Sequence, residues 1–265
     1  MDRGRCIARF VVTVAASASC LATIAVAAEP LSASDVNSFV GEAKVKPSDP
    51  FKKPLDQRSI IGRSLRVEIP VTQEGDRDNS SGNAVYWSYN ASREELTLKA
   101  WPRVFSGAWD ENAAKIIDYR EVAGFLTNYS LTKGNGGARS NAFGATANVQ
   151  TQLETSVGIA TIYTHNIGPT IFSEGPNDAI FYSVTLSIPP EQAKALVSSA
   201  RLVVEGQVVE ISPFQSVICE SEYFAPTIRN PREYAAERCF VSAKLSRMAF
   251  VDKASSRILR EWKSR

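Results

Sequence analysis

Two stretches of this chain alternate apolar and polar residues across a polar turn, and they limit the fold more than any other feature. VYWSYNASREELTLKA, residues 85–100, places Val85, Trp87 and Tyr89 on one face together with Leu96, Leu98 and Ala100. Tyr86, Ser88, Glu95, Thr97 and Lys99 fall on the other face, followed by Trp101. Successive side chains of a strand point to opposite faces, so this period of two predicts a half-buried hairpin. NASR at 90–93 supplies its turn. AFVDKASSRILREW, residues 249–262, repeats the pattern in shorter form, with its turn at 252–257. LRVEI at 65–69 adds a further half-buried strand, and 122–132, 147–162, 179–188 and 202–211 read as strands rich in β-branched residues. Gly206 within the last of these marks a bulge or turn.

Helical spacing occurs in two places. In PPEQAKALVSSAR, residues 189–201, Ala193, Leu196, Val197 and Ala200 share one helix face. Its prolines suit a first turn, and Glu191 suits the positive end of the helix dipole. In SDVNSFV, residues 34–40, a shorter helix is expected with Ser34 as N-cap and Val36, Phe39 and Val40 inward. Regular strand–helix alternation is absent, which argues against a doubly wound parallel sheet. The expected class is α+β: mainly antiparallel β, sandwich-like or as an open sheet, with one or two short helices.

The first residues read as a targeting segment. Arg3, Arg5 and Arg9 precede an apolar run from Phe10, and small residues at 25–28 precede Glu29 and Pro30, the layout of a secretory signal over residues 1–28. Ser17, Ser19, Cys20 and Thr23 dilute the run below what a spanning helix prefers. Ser17 stands where a lipid-modified Cys20 would need a large aliphatic residue. Residues 29–58 form a lead-in broken by Pro47, Pro50 and Pro54, and 59–265 a single β-rich domain. The expectation is an exported protein, periplasmic or secreted, with no transmembrane segment once the signal is removed.

Charge narrows the function classes. The chain has 30 Lys+Arg against 28 Asp+Glu, and the segment before Glu29 carries Arg3, Arg5, Arg9 and Asp2, so the remainder is balanced. It lacks the basic stripe that phosphate neutralisation requires, so nucleic acid is not an expected partner. Overall charge gives no reason for binding an anionic membrane either. Of the 4 cysteines, Cys6 and Cys20 lie in the signal, which leaves Cys219 and Cys239 as a pair. An oxidising compartment favours a disulfide between them. No second cysteine pair and no nearby histidine support a metal site, and the spacing is not that of a redox pair, so no metal or other cofactor is expected. The residues between them show no helix or strand period and read as a long excursion, with Tyr223, Phe224 and Tyr234 as a contact surface.

The catalytic candidates are incomplete. His165 is the one histidine, and a hydrolytic triad also needs a nucleophile and an orienting acid. Ser130 and Lys133 match S-x-x-K, but they lie in a strand pattern and no K-T-G follows. Asp76, Asp78 and Ser80 imitate a calcium loop that lacks its glycine and its bidentate glutamate. The pairs Asp110/Glu111 and Asp118/Glu121, close to Trp101, Trp109 and Tyr119, are the remaining hydrolytic option. The glycine-dense stretch GNGGARSNAFGA, residues 134–145, fits no phosphate-loop pattern and reads as a flexible connection between strands. Within it Arg139, Asn141 and Phe143 are candidate contacts. Tyr86 and Trp101 on the polar hairpin face, and Trp109 in a loop, bring aromatic area with a polar handle.

These features favour a non-catalytic exported module that binds a partner protein or cell-envelope component through loops and exposed aromatics. An exported hydrolase using a carboxylate pair or His165, and a secreted inhibitor or immunity-type protein, are the alternatives.

Overall fold

The computed structural model describes residues 28–44, 56–74, 85–106, 109–110, 115–116, 121–163, 182–211 and 215–263. In chain order the elements are α1 (Ala33–Lys44), β1 (Ser64–Pro70), β2 (Thr72–Gln73), β3 (Val85–Asn90), β4 (Glu95–Ala100), β5 (Arg103–Ser106), β6 (Trp109–Asp110) and β7 (Lys115–Ile116). They continue with β8 (Glu121–Ser140), β9 (Thr146–Tyr163), β10 (Tyr182–Ser187), α2 (Pro190–Ser199), β11 (Ala200–Val208), β12 (Val217–Phe224), β13 (Arg232–Asp252) and β14 (Arg257–Lys263). The protein is therefore β-rich α+β with two short helices, and the pairing is mainly antiparallel.

Both alternating segments fold as hairpins. β3 and β4 pair with Val85 opposite Ala100, Trp87 opposite Leu98 and Tyr89 opposite Leu96, which puts the apolar set on one face. β13 and β14 form the second, turning at 253–256. The sheet β10-β4-β3-β2 contributes Val85, Leu96, Leu98, Ala100 and Tyr182 to one core shared with β1, β11, β13 and both helices. Burying one apolar face of each sheet against the other is what holds these layers together.

α2 begins at Pro190 and buries Ala193 and Leu196, as its spacing predicts. α1 begins earlier than expected. Ser32, not Ser34, is its cap: the Ser32 N–H donates to Asp35 Oδ2 at 2.8 Å, and the Asp35 N–H donates back to Ser32 Oγ at 3.3 Å. This reciprocal capping box satisfies two donors that a helix start leaves orphaned. Val36 and Val40 then enter the core at 1% and 0% exposure.

β13 organises the large sheet. It is 21 residues long, against about five or six for an ordinary strand, and changes neighbours half-way along. Its first half lies between β12 and β9, its second between β11 and β14. Ser242 marks the change: its N–H donates to Ser216 O at 2.7 Å, and its C=O accepts from the Val209 N–H at 3.0 Å. A strand residue's N–H and C=O point to the same side, so β11 and β12 follow one another along one edge of β13. Gly206 sits at a register shift between β11 and β13, the bulge its position suggested. The β9–β13 pairing is parallel, an exception in a mostly antiparallel sheet.

The glycine-dense stretch is not a loose connection: residues 134–140 continue β8, and only residues 141–145 turn the chain into β9. The stretch between the cysteines is likewise a hairpin, β12 into β13, with Val217 opposite Val241 and Phe224 opposite Tyr234. Neither segment carries an apolar period, because its outer half covers no core. Beyond the core the two hairpins run on as a four-stranded arm in the order β8-β9-β13-β12, in which residues 132–146 are all exposed. Close approach holds its base: a Cβ on Gly158 would overlap the Phe125 carbonyl oxygen across the β8–β9 pair.

Candidate functional site

The end of the arm brings together two turns far apart in sequence. In the first, the Asn141 side-chain oxygen accepts from the N–H groups of Phe143 and Ala145, both at 3.0 Å, and the Gly144 N–H donates to Asn141 O at 3.0 Å. Gly144 takes the left-handed conformation, φ 78°, that this turn needs. Asn141 thus shapes the turn that presents Phe143, which is 96% exposed. The second turn, residues 225–231, lies beside it because the Gln150 N–H of β9 donates to Pro231 O at 2.8 Å.

Side chains also tie the hairpins. The Arg139 guanidinium reaches across β9 to Glu233, Nη2 to Oε2 at 2.9 Å, and Tyr223 OH donates to Glu233 Oε1 at 2.9 Å. The hydrogen bond to Glu233 is the main cause of a raised Tyr223 pKa. Arg139, Glu233 and Tyr223 come from three strands, β8, β13 and β12, on one face of the arm. Between the turns lies an open groove of about 270 Å³ lined by Arg139, Ala147, Val149, Pro226, Thr227 and Ile228. Ile228 there is 39% exposed, and further back along β12 Tyr223 (60%) and Phe224 (57%) are open to solvent on opposite faces of the arm. The Phe224 ring rests 6.0 Å from Tyr234, centroid to centroid.

Nearer the base, the opposite face carries a polar cluster. Arg238 donates through Nε to Glu154 Oε1 at 2.8 Å, through Nη1 to Glu222 Oε2 at 3.1 Å and through Nη2 to Tyr234 OH at 2.7 Å. Tyr234 OH donates in turn to Glu154 Oε2 at 2.6 Å. Glu220 stands 3.9 Å from Nη1. Burial opposes the charge on Arg238, but the hydrogen bonds to Glu154 and Glu222 outweigh it and hold its pKa above the ordinary value. Burial, then the bond to Glu154, pushes the Tyr234 phenol up to about 12.

That shift carries a sign. The unfolded chain loses the phenol proton near pH 10 and the folded chain near pH 12, so the stability it contributes is complete below pH 10 and lost as pH rises through 12. Discounted for a half-buried group, Tyr234→Phe is expected to recover about 1–2 kcal/mol of the stability the parent loses over that window. Urea titrations at pH 9 and pH 11.5 measure it; equal losses in parent and variant count against a shifted Tyr234.

The other candidates lie elsewhere. Tyr86 and Trp101 belong to the second sheet: Tyr86 is half-buried opposite Lys99, and Trp101, 48% exposed, follows β4. Burial first, then Glu74, raises the Tyr86 pKa. Trp109 is on β6, with its side chain outside the described residues. His165, Glu111, Asp118 and residues 76–82 also lie outside them, as do the side chains of Asp110 and Glu121. Ser130 and Lys133 sit three apart on β8 and point to opposite faces, so they form no dyad. Among the described residues no group of three or more His, Cys, Asp or Glu is placed to hold a metal ion, and no helix is long and apolar enough to cross a membrane.

No family model, curated protein or solved structure matches the chain. The site therefore rests on its own geometry. Sequence reasoning singled out Arg139, Asn141 and Phe143 in one segment and Tyr223, Phe224 and Tyr234 in another, and the arm joins both groups. It missed Glu233, Ile228 and the Glu154–Arg238 pair. One signal for them exists in the sequence. Counting inward from Cys219 and Cys239 as an opposed pair sets Glu220 against Arg238 and Phe224 against Tyr234, the observed register.

Proposed function

We propose that this chain is an exported binding module that engages a partner protein or cell-envelope component through the end of its arm. The observation that carries the reading is the side-by-side placement of two hairpins whose outer parts hold Phe143, Tyr223, Phe224 and Ile228 exposed on a backbone-bonded scaffold. Large apolar side chains left in water are unfavourable for folding alone, and several of them on one projecting arm suit a contact surface. The secretory layout of the first residues, together with a bonded Cys219–Cys239 pair, supports export.

Photo-crosslinking in the native compartment tests this. Probes at positions 143 and 224 are expected to give adducts, and a probe at Ile258, also exposed but on β14, is expected to give none. Adducts at 258 with none at the arm positions would place the contact surface elsewhere and overturn the reading.

A further inference from the structure

We infer that the end of the arm docks end-on into an anionic lipid surface. The inference rests on the binding-module reading above and names its target. Its first support is where the exposed apolar groups point. Phe143 caps the end of the arm in the turn at 141–145, and Ile228 stands in the neighbouring turn at 225–231. An interface entered end-on takes up both, as apolar side chains do at the headgroup level. Tyr223 and Phe224, in line with Leu153 and Gln152 of β9, flank the arm about 20 Å behind that end.

The second support is charge. Residues 131–153 and 223–232 contain no Asp or Glu, yet they carry Lys133, Arg139, Arg229 and Arg232. Arg139 is neutralised by Glu233, while Lys133, Arg229 and Arg232 form no ion pair among the described residues. The carboxylates nearest the end are held inward: Glu233 by Arg139 and Tyr223, Glu222 by Arg238. Aromatic groups ringed by free cations complement anionic headgroups over an apolar layer. The balanced charge of the residues from Glu29 on conceals this, because the cations gather only when β9 pairs with β13.

Flotation of the exported protein with vesicles tests the inference, with parent and variants purified identically so that the N-terminal segment is common to all. The parent is expected to float with phosphatidylcholine vesicles containing 30% phosphatidylglycerol, and less as salt rises. R229Q/R232Q is expected to weaken that partitioning about 25-fold, at about fivefold per charge, and F143A by about tenfold. W101A is expected to leave it unchanged. In F143W, vesicles are expected to blue-shift the added emission. Flotation absent, or insensitive to the arm variants, overturns the inference. Adducts from position 143 to a polypeptide without vesicle binding would overturn it too, while leaving the binding-module reading standing. Neither adducts nor flotation would sink both.

Discussion

Replacing Arg238 with alanine is expected to destabilise the protein by about 3–5 kcal/mol, the usual cost of stripping one partner from a buried ion pair. The reason is the charge left behind. Glu154 is 5% exposed and Arg238 7%, so the carboxylate depends on protein groups where it would otherwise have water. Coulomb attraction between the two is strong at this burial, but most of it offsets desolvation, and the pair is worth far less than the damage from breaking it. This separates the single from the double variant. R238M/E154L removes both charges and retains apolar volume, and it is expected to recover most of the loss. For a chain of this size the single variant corresponds to a fall in melting temperature of roughly 10 °C. Urea denaturation of parent, R238A and R238M/E154L measures the cycle. A double variant as unstable as the single would show that the strand positions, rather than the orphaned carboxylate, set the cost.

Loss of the disulfide is the second large effect. Cys219 and Cys239 are directly opposed on β12 and β13, with Cα atoms 4.1 Å apart and a sequence separation of 20. Closing a loop of that length removes about 3 kcal/mol of freedom from the unfolded chain, and C219S/C239S is expected to lose about that much. The loss should also be local. β12 is an edge strand whose partner among the described residues is β13, so without the staple it opens before the core does. Amide exchange is therefore expected to rise across residues 217–224 and to stay near parental values in β11, which lies between β1 and β13. Thiol titration of the exported protein without reductant is expected to find neither cysteine. Two free thiols there, or a variant as stable as the parent, would remove the staple from the account.

The arm explains why some of this was readable and some was not. Where a strand covers the core, its sequence records the fact: 85–100 alternates because every second side chain faces the core, and its register came out as the pattern implied. The helix at 190–199 is legible for the same reason, with Ala193 and Leu196 inward. The outer arm has solvent on both faces, so alternation disappears although the backbone ladder continues. Gly134, Asn135 and Gly137 look like a loop by composition, yet each pairs with a residue of β9. Main-chain pairing needs no particular side chain, and it leaves little trace in the sequence.

The sequence by itself determined the β-rich class, the two helices, both alternating hairpins and the identity of the cysteine pair. Each follows from local spacing or from elimination among few residues. Only the tertiary structure decided that β9 runs parallel to β13, which places the turn at 141–145 beside the turn at 225–231. That pairing joins segments roughly 80 residues apart through backbone hydrogen bonds. No local period encodes such a partnership, and the exposed aromatics and free cations became one surface because of it.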